Sequence, residues 1–181
     1  MIEIRLHGRG GQGGVTSAEL LARAAIAEGK FAQAFPSFGP ERRGAPVMAF
    51  VRVDDKKIRI REKVYNPDVV LVLDPTLLDI VDVSEGLKEG GTVVVNTGQS
   101  PDELKKKYGF PKVACVDANK VALEELGVPI TNTTMLGALL RATGIVEVDH
   151  MEAVIADRFG PKLGPKNYNA LKRAHGETRA A

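Results

Sequence analysis

The sequence contains very little cysteine and few aromatic residues, and its two kinds of charge are almost balanced. Its one cysteine, Cys115, cannot form an internal disulfide and is only one of the four thiolates that an iron–sulfur cluster usually needs. Aromatic residues make up 5% of the chain and tryptophan is absent, which argues against a surface on which nucleic-acid bases stack. The net charge of +2 is too small and too scattered to indicate a basic nucleic-acid-binding face.

Long apolar runs are missing as well. No stretch approaches the roughly 20 apolar residues that a membrane helix requires. The first five residues lead directly into a strand pattern and lack the layout of a signal peptide. Hydrophobic residues make up 44% and charged residues 27%, which is typical of a globular domain. We therefore expect one domain over residues 1–181, located in the cytoplasm, with no membrane or nucleic-acid partner.

The first part of the chain has the pattern of a strand, a glycine-rich turn, a helix and a second strand. Apolar residues alternate over 2–6, as in a strand with one buried face. The segment 15–28 has helical spacing and is followed by Gly29, a usual residue just past a helix end. A second strand is predicted over 31–35.

A polar turn at 54–56 separates two runs with strand character. The run 47–53 is largely apolar, and in 57–61 isoleucine alternates with arginine. This pattern predicts an antiparallel hairpin with one solvated face.

The remainder of the chain predicts a parallel sheet and a helical end. The continuous apolar runs 69–73 and 93–95 are typical of strands buried on both faces, and 113–116 adds another. From Thr133 onward the spacing is helical. The predicted fold is a three-layer α/β/α sandwich with a mixed, mostly parallel sheet, an antiparallel hairpin and a helical C-terminal third.

A glycine-rich loop follows the first strand. Gly8, Arg9, Gly10, Gly11, Gln12 and Gly13 match the pattern G-x-G-x-x-G, which in other proteins brings the backbone close to a phosphate. A dinucleotide site would also need an acidic residue in the second strand, and 30–35 has none. A Walker-type loop would need lysine where Val15 stands. Two hypotheses remain: a tight turn without ligand, or a loop that faces an anion or a partner protein.

A second unusual loop covers residues 38–46. Two glycines and two prolines restrict its shape, and Glu41, Arg42 and Arg43 lie at its centre. Adjacent arginines suit a phosphate, a carboxylate or an acidic protein surface. The alternative is a solvated charged loop.

Four other positions are predicted to have structural roles. Cys115, within an apolar run, should be a small buried side chain. His7 should be packed or hydrogen-bonded, and Asp74, at a strand end, should cap the next segment. Asn132 or Thr133 should be the N-cap of the helix that follows. The histidines show no metal-ligand spacing, so neither a metal site nor a catalytic residue is predicted.

Several segments together resemble a known family. The segments 7–13 and 34–46, followed by 66–70, 96–97 and 132–138, are similar in order and spacing to the gamma subunit of pyruvate and 2-ketoisovalerate ferredoxin oxidoreductases. The resemblance covers nearly the whole chain and is weakest after about His150.

The resemblance implies a set of partners and cofactors. It implies an alpha chain, a beta chain with thiamine diphosphate and Mg²⁺, and a delta chain with two [4Fe–4S] clusters. Such a complex decarboxylates a 2-oxoacid, reduces ferredoxin and transfers the acyl group to coenzyme A. The present chain would carry no cofactor and have a structural or assembly role, near the path of coenzyme A.

A hypothesis from another class is a free-standing α/β protein that binds a nucleotide or anion through the loop Gly8–Gly13. It differs from the subunit hypothesis in requiring no partner chain.

Overall fold

The computed structural model describes residues 1–37, 39 and 42–181 and shows a seven-stranded sheet between helical layers. The strands are β1 (Ile2–Arg9), β2 (Phe31–Pro36), β3 (Pro46–Asp54), β4 (Val69–Val72), β5 (Thr92–Asn96), β6 (Lys112–Val116) and β7 (Arg179–Ala180). The helices are α1 (Gly14–Ala27), α2 (Pro101–Tyr108), α3 (Ala118–Leu126), α4 (Asn132–Thr143) and α5 (Asp149–Glu177), with a short 3-10 helix at Pro75–Asp79. Within this described part, none of the helices has both the length and the apolar character needed to span a bilayer.

The strand order across the sheet is β2-β3-β1-β4-β5-β6-β7. The neighbours β1, β4, β5 and β6 pair in parallel, whereas β3 is antiparallel to β2 and β1, and β7 is antiparallel to β6. All strands except β3 and β7 therefore run in one direction. The predicted mixed, mostly parallel sheet is confirmed.

The sheet is covered on both faces, which explains the continuous apolar runs. Val69 and Leu71 pack in a large cluster with residues of α1, α4 and α5. Val70 and Val72, with their side chains on the opposite face, pack against Leu104 of α2. Because alternate residues of one strand enter two different cores, each of them must be apolar.

The sequence predicted that the segment 57–61 pairs with β3 in an antiparallel hairpin, and this prediction is wrong. The segment 57–61 is not a strand, and Ile60 is 41% exposed. Instead, β2 and β1 occupy the two edges of β3. A strand has only two edges, so 57–61 has no place beside β3.

The C-terminal third is helical, as predicted, except for the two-residue strand β7. Within α5 the helical dihedrals are interrupted at Gly160, whose φ is 75° and ψ −179°. Pro161 follows and is accommodated because it begins the second helical stretch, where a proline costs no hydrogen bond.

The predicted N-cap of α4 is also wrong. The cap position is Thr131, and Asn132 and Thr133 are already inside the helix. Both side chains are buried, and the Thr133 hydroxyl donates to Asn167 Oδ1 at 2.6 Å. A residue with helical dihedrals and a buried side chain cannot reach back to the free amides of the first turn.

Candidate functional site

The connections on the two sides of the sheet diverge at the carboxyl ends of β1 and β4. After β1 the chain passes through α1 to β2 at one edge, and after β4 it moves toward β5 on the other side. In open α/β sheets such a divergence leaves a crevice where ligands bind. A cleft of about 370 Å³ lies here. It is lined by Gly11, Gln12, Leu73, Asp74, Pro75, Thr76, Asn96, Asn119, Pro129, Ile130 and Thr131.

The glycine loop joins β1 to α1 in a tight turn. The Gln12 amide donates to the Arg9 carbonyl at 3.0 Å, and Gly11 and Gly13 have φ values of 92° and 78°. These left-handed conformations favour glycine. At Gly13 a β-carbon would also lie 2.7 Å from Asn132 Nδ2. This glycine therefore allows α1 and α4 to begin side by side.

The second loop packs directly on Gly10. The Gly10 amide donates to the Ala45 carbonyl at 2.9 Å, and the Gly44 amide donates to the Gly10 carbonyl at 3.1 Å. A β-carbon on Gly10 would lie 2.5 Å from the Arg42 carbonyl oxygen. Glycine is needed at this position because another backbone segment lies against it.

Arg9 is bonded to three neighbours and connects the two loops to the 3-10 helix. Its Nε donates to Asp74 Oδ2 at 3.1 Å, Nη1 to the Gly44 carbonyl at 3.1 Å and Nη2 to Thr76 Oγ1 at 2.8 Å. Gln12 supports the same arrangement, because its Nε2 donates to Asp74 Oδ2 at 2.8 Å and its Oε1 accepts from the Arg9 amide at 2.7 Å. Arg9 and Gln12 thus hold the loops together.

Asp74 is the acceptor at the centre of this network. Its Oδ1 accepts from the Thr76 amide at 3.0 Å, so it caps the 3-10 helix as predicted. Burial alone would raise the pKa of Asp74, but hydrogen bonds from Thr76 and Gln12 and the charge of Arg9 together lower the pKa below its usual value. The carboxylate stays ionised and pairs with Arg9.

Arg42 and Arg43 have exposed side chains on the outer side of the packed loops. The backbone of Arg43 forms an isolated parallel β-bridge with Gly10. A β-carbon at Gly11 would lie 3.8 Å from Arg43 Cγ. The structure thus brings Arg42 and Arg43 next to the glycine loop, although the two loops are about 30 residues apart in sequence. The remaining predicted site residue, Glu41, lies outside the described residues.

Two asparagines of the cleft, Asn96 and Asn119, were not predicted from the sequence as site residues. The Asn96 side chain donates to the Leu73 carbonyl at 3.0 Å and accepts from the Ala118 amide at 3.0 Å, so it links three segments at the end of β5. The signal for Asn96 was its position after an apolar run, the same signal that identified Asp74. Asn119 follows β6 with no comparable sequence signal.

The isolated cysteine and the histidine near the glycine loop have the predicted structural roles. Cys115 is fully buried, and burial raises the pKa of its thiol, which keeps it protonated and unreactive. His7 Nε2 accepts a hydrogen bond from Arg5 Nε at 3.0 Å. Among residues 1–37, 39 and 42–181, no three or more His, Cys, Asp or Glu side chains are grouped to hold a metal ion.

Known proteins match this chain over almost its full length. The family model described as pyruvate ferredoxin/flavodoxin oxidoreductase matches residues 3–177. The chain is 59% identical over 182 aligned residues to the pyruvate/ketoisovalerate oxidoreductases common subunit gamma of Thermococcus litoralis, covering 98% of this chain and 97% of that protein. It is 55% identical to the pyruvate synthase subunit PorC of Methanocaldococcus jannaschii, with 98% and 97% covered.

A solved structure supports the same assignment. The crystal structure of the pyruvate oxidoreductase subunit PORC of Thermotoga maritima superposes with a TM-score of 0.88 at 44% identity, covering 99% of this chain and 98% of that one. The shared identity and the nearly complete overlap extend through the C-terminal region, where the resemblance of the sequence segments was weakest. The chain belongs to the pyruvate ferredoxin/flavodoxin oxidoreductase family and is a gamma subunit of a multi-subunit oxidoreductase.

Proposed function

We propose that this chain serves a complex that oxidatively decarboxylates pyruvate or 2-ketoisovalerate, forms an acyl-coenzyme A and reduces ferredoxin. The support is its similarity, over 97% of their length, to subunits named for pyruvate/ketoisovalerate oxidoreductases and for pyruvate synthase. In this proposal thiamine diphosphate, Mg²⁺ and the [4Fe–4S] clusters belong to alpha, beta and delta partner chains. The gamma chain is required for assembly and takes no chemical step.

The proposed partner contact is the outer face of the two packed loops, defined by Arg42 and Arg43. The observation that carries this proposal is the packing of the second loop on Gly10, with backbone hydrogen bonds of 2.9 and 3.1 Å. This packing fixes the backbone next to the two exposed arginines. A preorganised cation loses less conformational entropy when it binds, and arginine pairs well with carboxylates. The expected partner is an acidic patch on a neighbouring subunit.

Arg9 and Gln12 have a supporting role in this proposal. Arg9 already donates hydrogen bonds to Asp74, Gly44 and Thr76, and its charge is paired with Asp74. An incoming anion would have to displace the Asp74 carboxylate. The two exposed arginines are therefore the better candidates for contact with a partner, and Arg9 positions the loop that carries them.

One observation favours a second candidate, the phosphates of coenzyme A. Arg43 lies beside Gly11, and Gly11 lines the cleft of about 370 Å³. A phosphate held by Arg43 would therefore lie at the edge of this cleft. Arginine can bind phosphate through two parallel charge-assisted hydrogen bonds.

The test is the double variant Arg42→Ala/Arg43→Ala, expressed together with the partner subunits. The isolated variant should keep its stability, because exposed charges usually change it by about 0.5 kcal/mol or less. If the arginines contact a partner, the complex should form poorly and dissociate at lower salt than the wild type. Size-exclusion chromatography across a salt series measures this. The double variant Arg59→Ala/Arg61→Ala, which removes two exposed arginines elsewhere, is the matched control.

The two candidates give different results. Normal assembly with a raised KM for coenzyme A would support the phosphate site and rule out the partner contact. Normal assembly together with an unchanged KM for coenzyme A would show that the loop is only a solvated charged segment.

A further inference from the structure

The strand β2 forms an end of the sheet and leaves one of its edges open. β3 pairs with one side of β2, and the sheet order ends at β2 on the other side. The sequence of β2 is Phe-Ala-Gln-Ala-Phe-Pro, without a charged residue. Natural proteins usually protect open edges with charges or by covering them, so an uncharged open edge is a candidate for pairing with another strand.

The hydrogen-bond pattern identifies the free backbone groups on this edge. The Ser37 amide donates to the Met48 carbonyl at 2.9 Å, which fixes the alternation along the β2–β3 ladder. Residues 31, 33 and 35 therefore direct their backbone groups toward β3, and Ala32 and Ala34 direct theirs outward. No residue in the described part of the chain pairs with these outward amides.

The charged residue just before β2 does not protect the edge. Lys30 Nζ donates to Glu28 Oε2 at 2.8 Å and to the Ile145 carbonyl at 2.6 Å. Its ammonium is thus directed toward α1 and the segment after α4, and its charge is paired with Glu28. Repulsion between lysines, the common safeguard of edge strands, is weakened here.

We propose that the open edge of β2 binds the same edge of a second copy of this chain. The sequence Phe31-Ala32-Gln33-Ala34-Phe35 reads the same in both directions around Gln33. A two-fold symmetric contact pairs each residue of one copy with a residue of the other, and in an antiparallel pair centred on Gln33 this sequence sets alanine opposite alanine and phenylalanine opposite phenylalanine.

The symmetric register satisfies the free backbone groups. Ala32 of one copy lies opposite Ala34 of the other, and the reverse pair is equivalent by symmetry. Each of these pairs exchanges two hydrogen bonds, so the contact forms about four in total. Pro36 lacks an amide hydrogen, so the ladder ends there.

The same register covers the exposed aromatic side chain of the edge. Phe31 is 46% exposed, and in this register it lies opposite Phe35 of the second copy. These positions form non-hydrogen-bonded pairs, in which cross-strand side chains approach most closely. Phe35 itself packs against Phe50, with ring centroids 5.3 Å apart. The pair therefore extends an aromatic cluster that is already present.

The helices leave room for this contact. α1 packs across both β2 and β3. With strands about 4.8 Å apart, the two α1 helices would lie about 10 Å from each other across the two-fold axis. That is close to the distance at which helices pack side by side. At this spacing the two α1 helices would pack side by side on one face of the extended sheet.

The test uses charge at the two-fold axis. Sedimentation velocity should show a dimer for the wild-type chain and monomers for Gln33→Lys and Gln33→Glu, because each variant places like charges opposite each other. An equimolar mixture of the two variants should restore the dimer, since the introduced lysine of one chain then faces the introduced glutamate of the other. The control is Ile130→Lys, which changes a 55% exposed side chain away from β2 and should remain dimeric.

A second variant tests the backbone contact. Ala34→Pro removes one outward amide and should give a monomer with an unchanged circular dichroism spectrum, because an edge strand tolerates proline on its open side. A monomeric wild-type chain would overturn the proposal. A dimer that persists in both single-charge variants, or a charge mixture that stays monomeric, would do the same.

Discussion

At the scale of single residues, Asp74 shows how a side chain at a typical ligand position can be used within the protein. It follows β4 at the carboxyl edge of the sheet, where α/β proteins often bind ligands. All hydrogen bonds of its carboxylate within the described residues connect it to the adjacent loop and helix, from Arg9, Gln12 and Thr76. Asp74 therefore organises the edge of the cleft. The exposed charges beside the glycine loop are those of Arg42 and Arg43.

His7 is a buried titratable residue next to the same loop. Burial, and then the charge of Arg5, lower the pKa of His7 to about 4, and Asp82 opposes this only in part. The imidazole is therefore neutral at physiological pH. Its Nε2 is the acceptor for Arg5 Nε, so the proton of the neutral ring lies on Nδ1.

This depressed pKa predicts a pH dependence of stability. Between pH 6.5, the ordinary value for histidine, and about 4, the unfolded chain binds a proton at His7 that the folded chain does not. The free energy of unfolding should therefore fall as the pH is lowered through this range, by up to about 3 kcal/mol. Urea unfolding at several pH values measures the fall.

A substitution isolates the contribution of His7. His7→Gln keeps an acceptor for Arg5 but cannot titrate, so it should flatten the fall between pH 6.5 and 4. His150→Gln, which changes a 44% exposed side chain and leaves His7 in place, should retain it. An equal slope in His7→Gln and the wild type would contradict the assigned cause.

At the scale of elements, the two loops behave as one unit. The glycine loop contributes the backbone of Gly10, and the second loop covers it through Gly44 and Ala45. Together they form a structured edge because a missing side chain at Gly10 allows backbone to contact backbone.

Alanine substitutions at Gly10, in the glycine loop, and at Gly14, the first residue of α1, should therefore have different effects. Gly10→Ala places a β-carbon 2.5 Å from the Arg42 carbonyl oxygen and should cost about 1–3 kcal/mol or displace the second loop. Gly14→Ala places its β-carbon at an ordinary 3.7 Å from Leu73 Cδ1 and should change stability by about 0.5 kcal/mol or less.

Thermal unfolding and proteolysis of the second loop measure this difference. The displaced loop in Gly10→Ala should be cut faster, whereas Gly14→Ala should match the wild type. Equal proteolysis of both variants would show that the packing on Gly10 does not hold the loop.

The sequence predicted those elements that have a strong local signal. The apolar runs of β4 and β5 predicted buried parallel strands, because burial on both faces leaves no polar position in the strand. The alternation in 57–61 was misleading, because alternation predicts an amphipathic strand without indicating whether a neighbour has a free edge. The pairing of β3 with β2 depends on long-range contacts that no local pattern contains.

The candidate site was predicted in part for the same reason. The glycine loop and the arginine pair have unusual local compositions, so both were identified as site residues. Their contact through Gly10, and the use of Arg9 within the fold, follow from tertiary packing. Composition can indicate that an arginine is unusual, but it does not show whether its hydrogen bonds are internal.

At the scale of the whole molecule, the chain has the properties of a subunit that contributes surface to a complex. Apolar clusters cover both faces of its sheet, and its one cysteine is buried. Two features of its surface are candidates for contact with other chains, the exposed pair Arg42 and Arg43 and the uncharged strand β2. Because these are different elements, contact with a partner subunit and self-association can be tested separately.

Purified without its partners, the chain should carry no redox centre and have no activity of its own. One buried thiol cannot provide the ligands of an iron–sulfur cluster, which usually needs four, so the isolated chain should be colourless. It should also bind no thiamine diphosphate and oxidise no 2-oxoacid, since the cofactors are proposed to belong to the partner chains. Absorption spectroscopy, calorimetry with thiamine diphosphate and an assay with pyruvate and 2-ketoisovalerate check these outcomes. Activity that appears only after the partner chains are added would support the subunit role, and a brown or active preparation of this chain alone would contradict it.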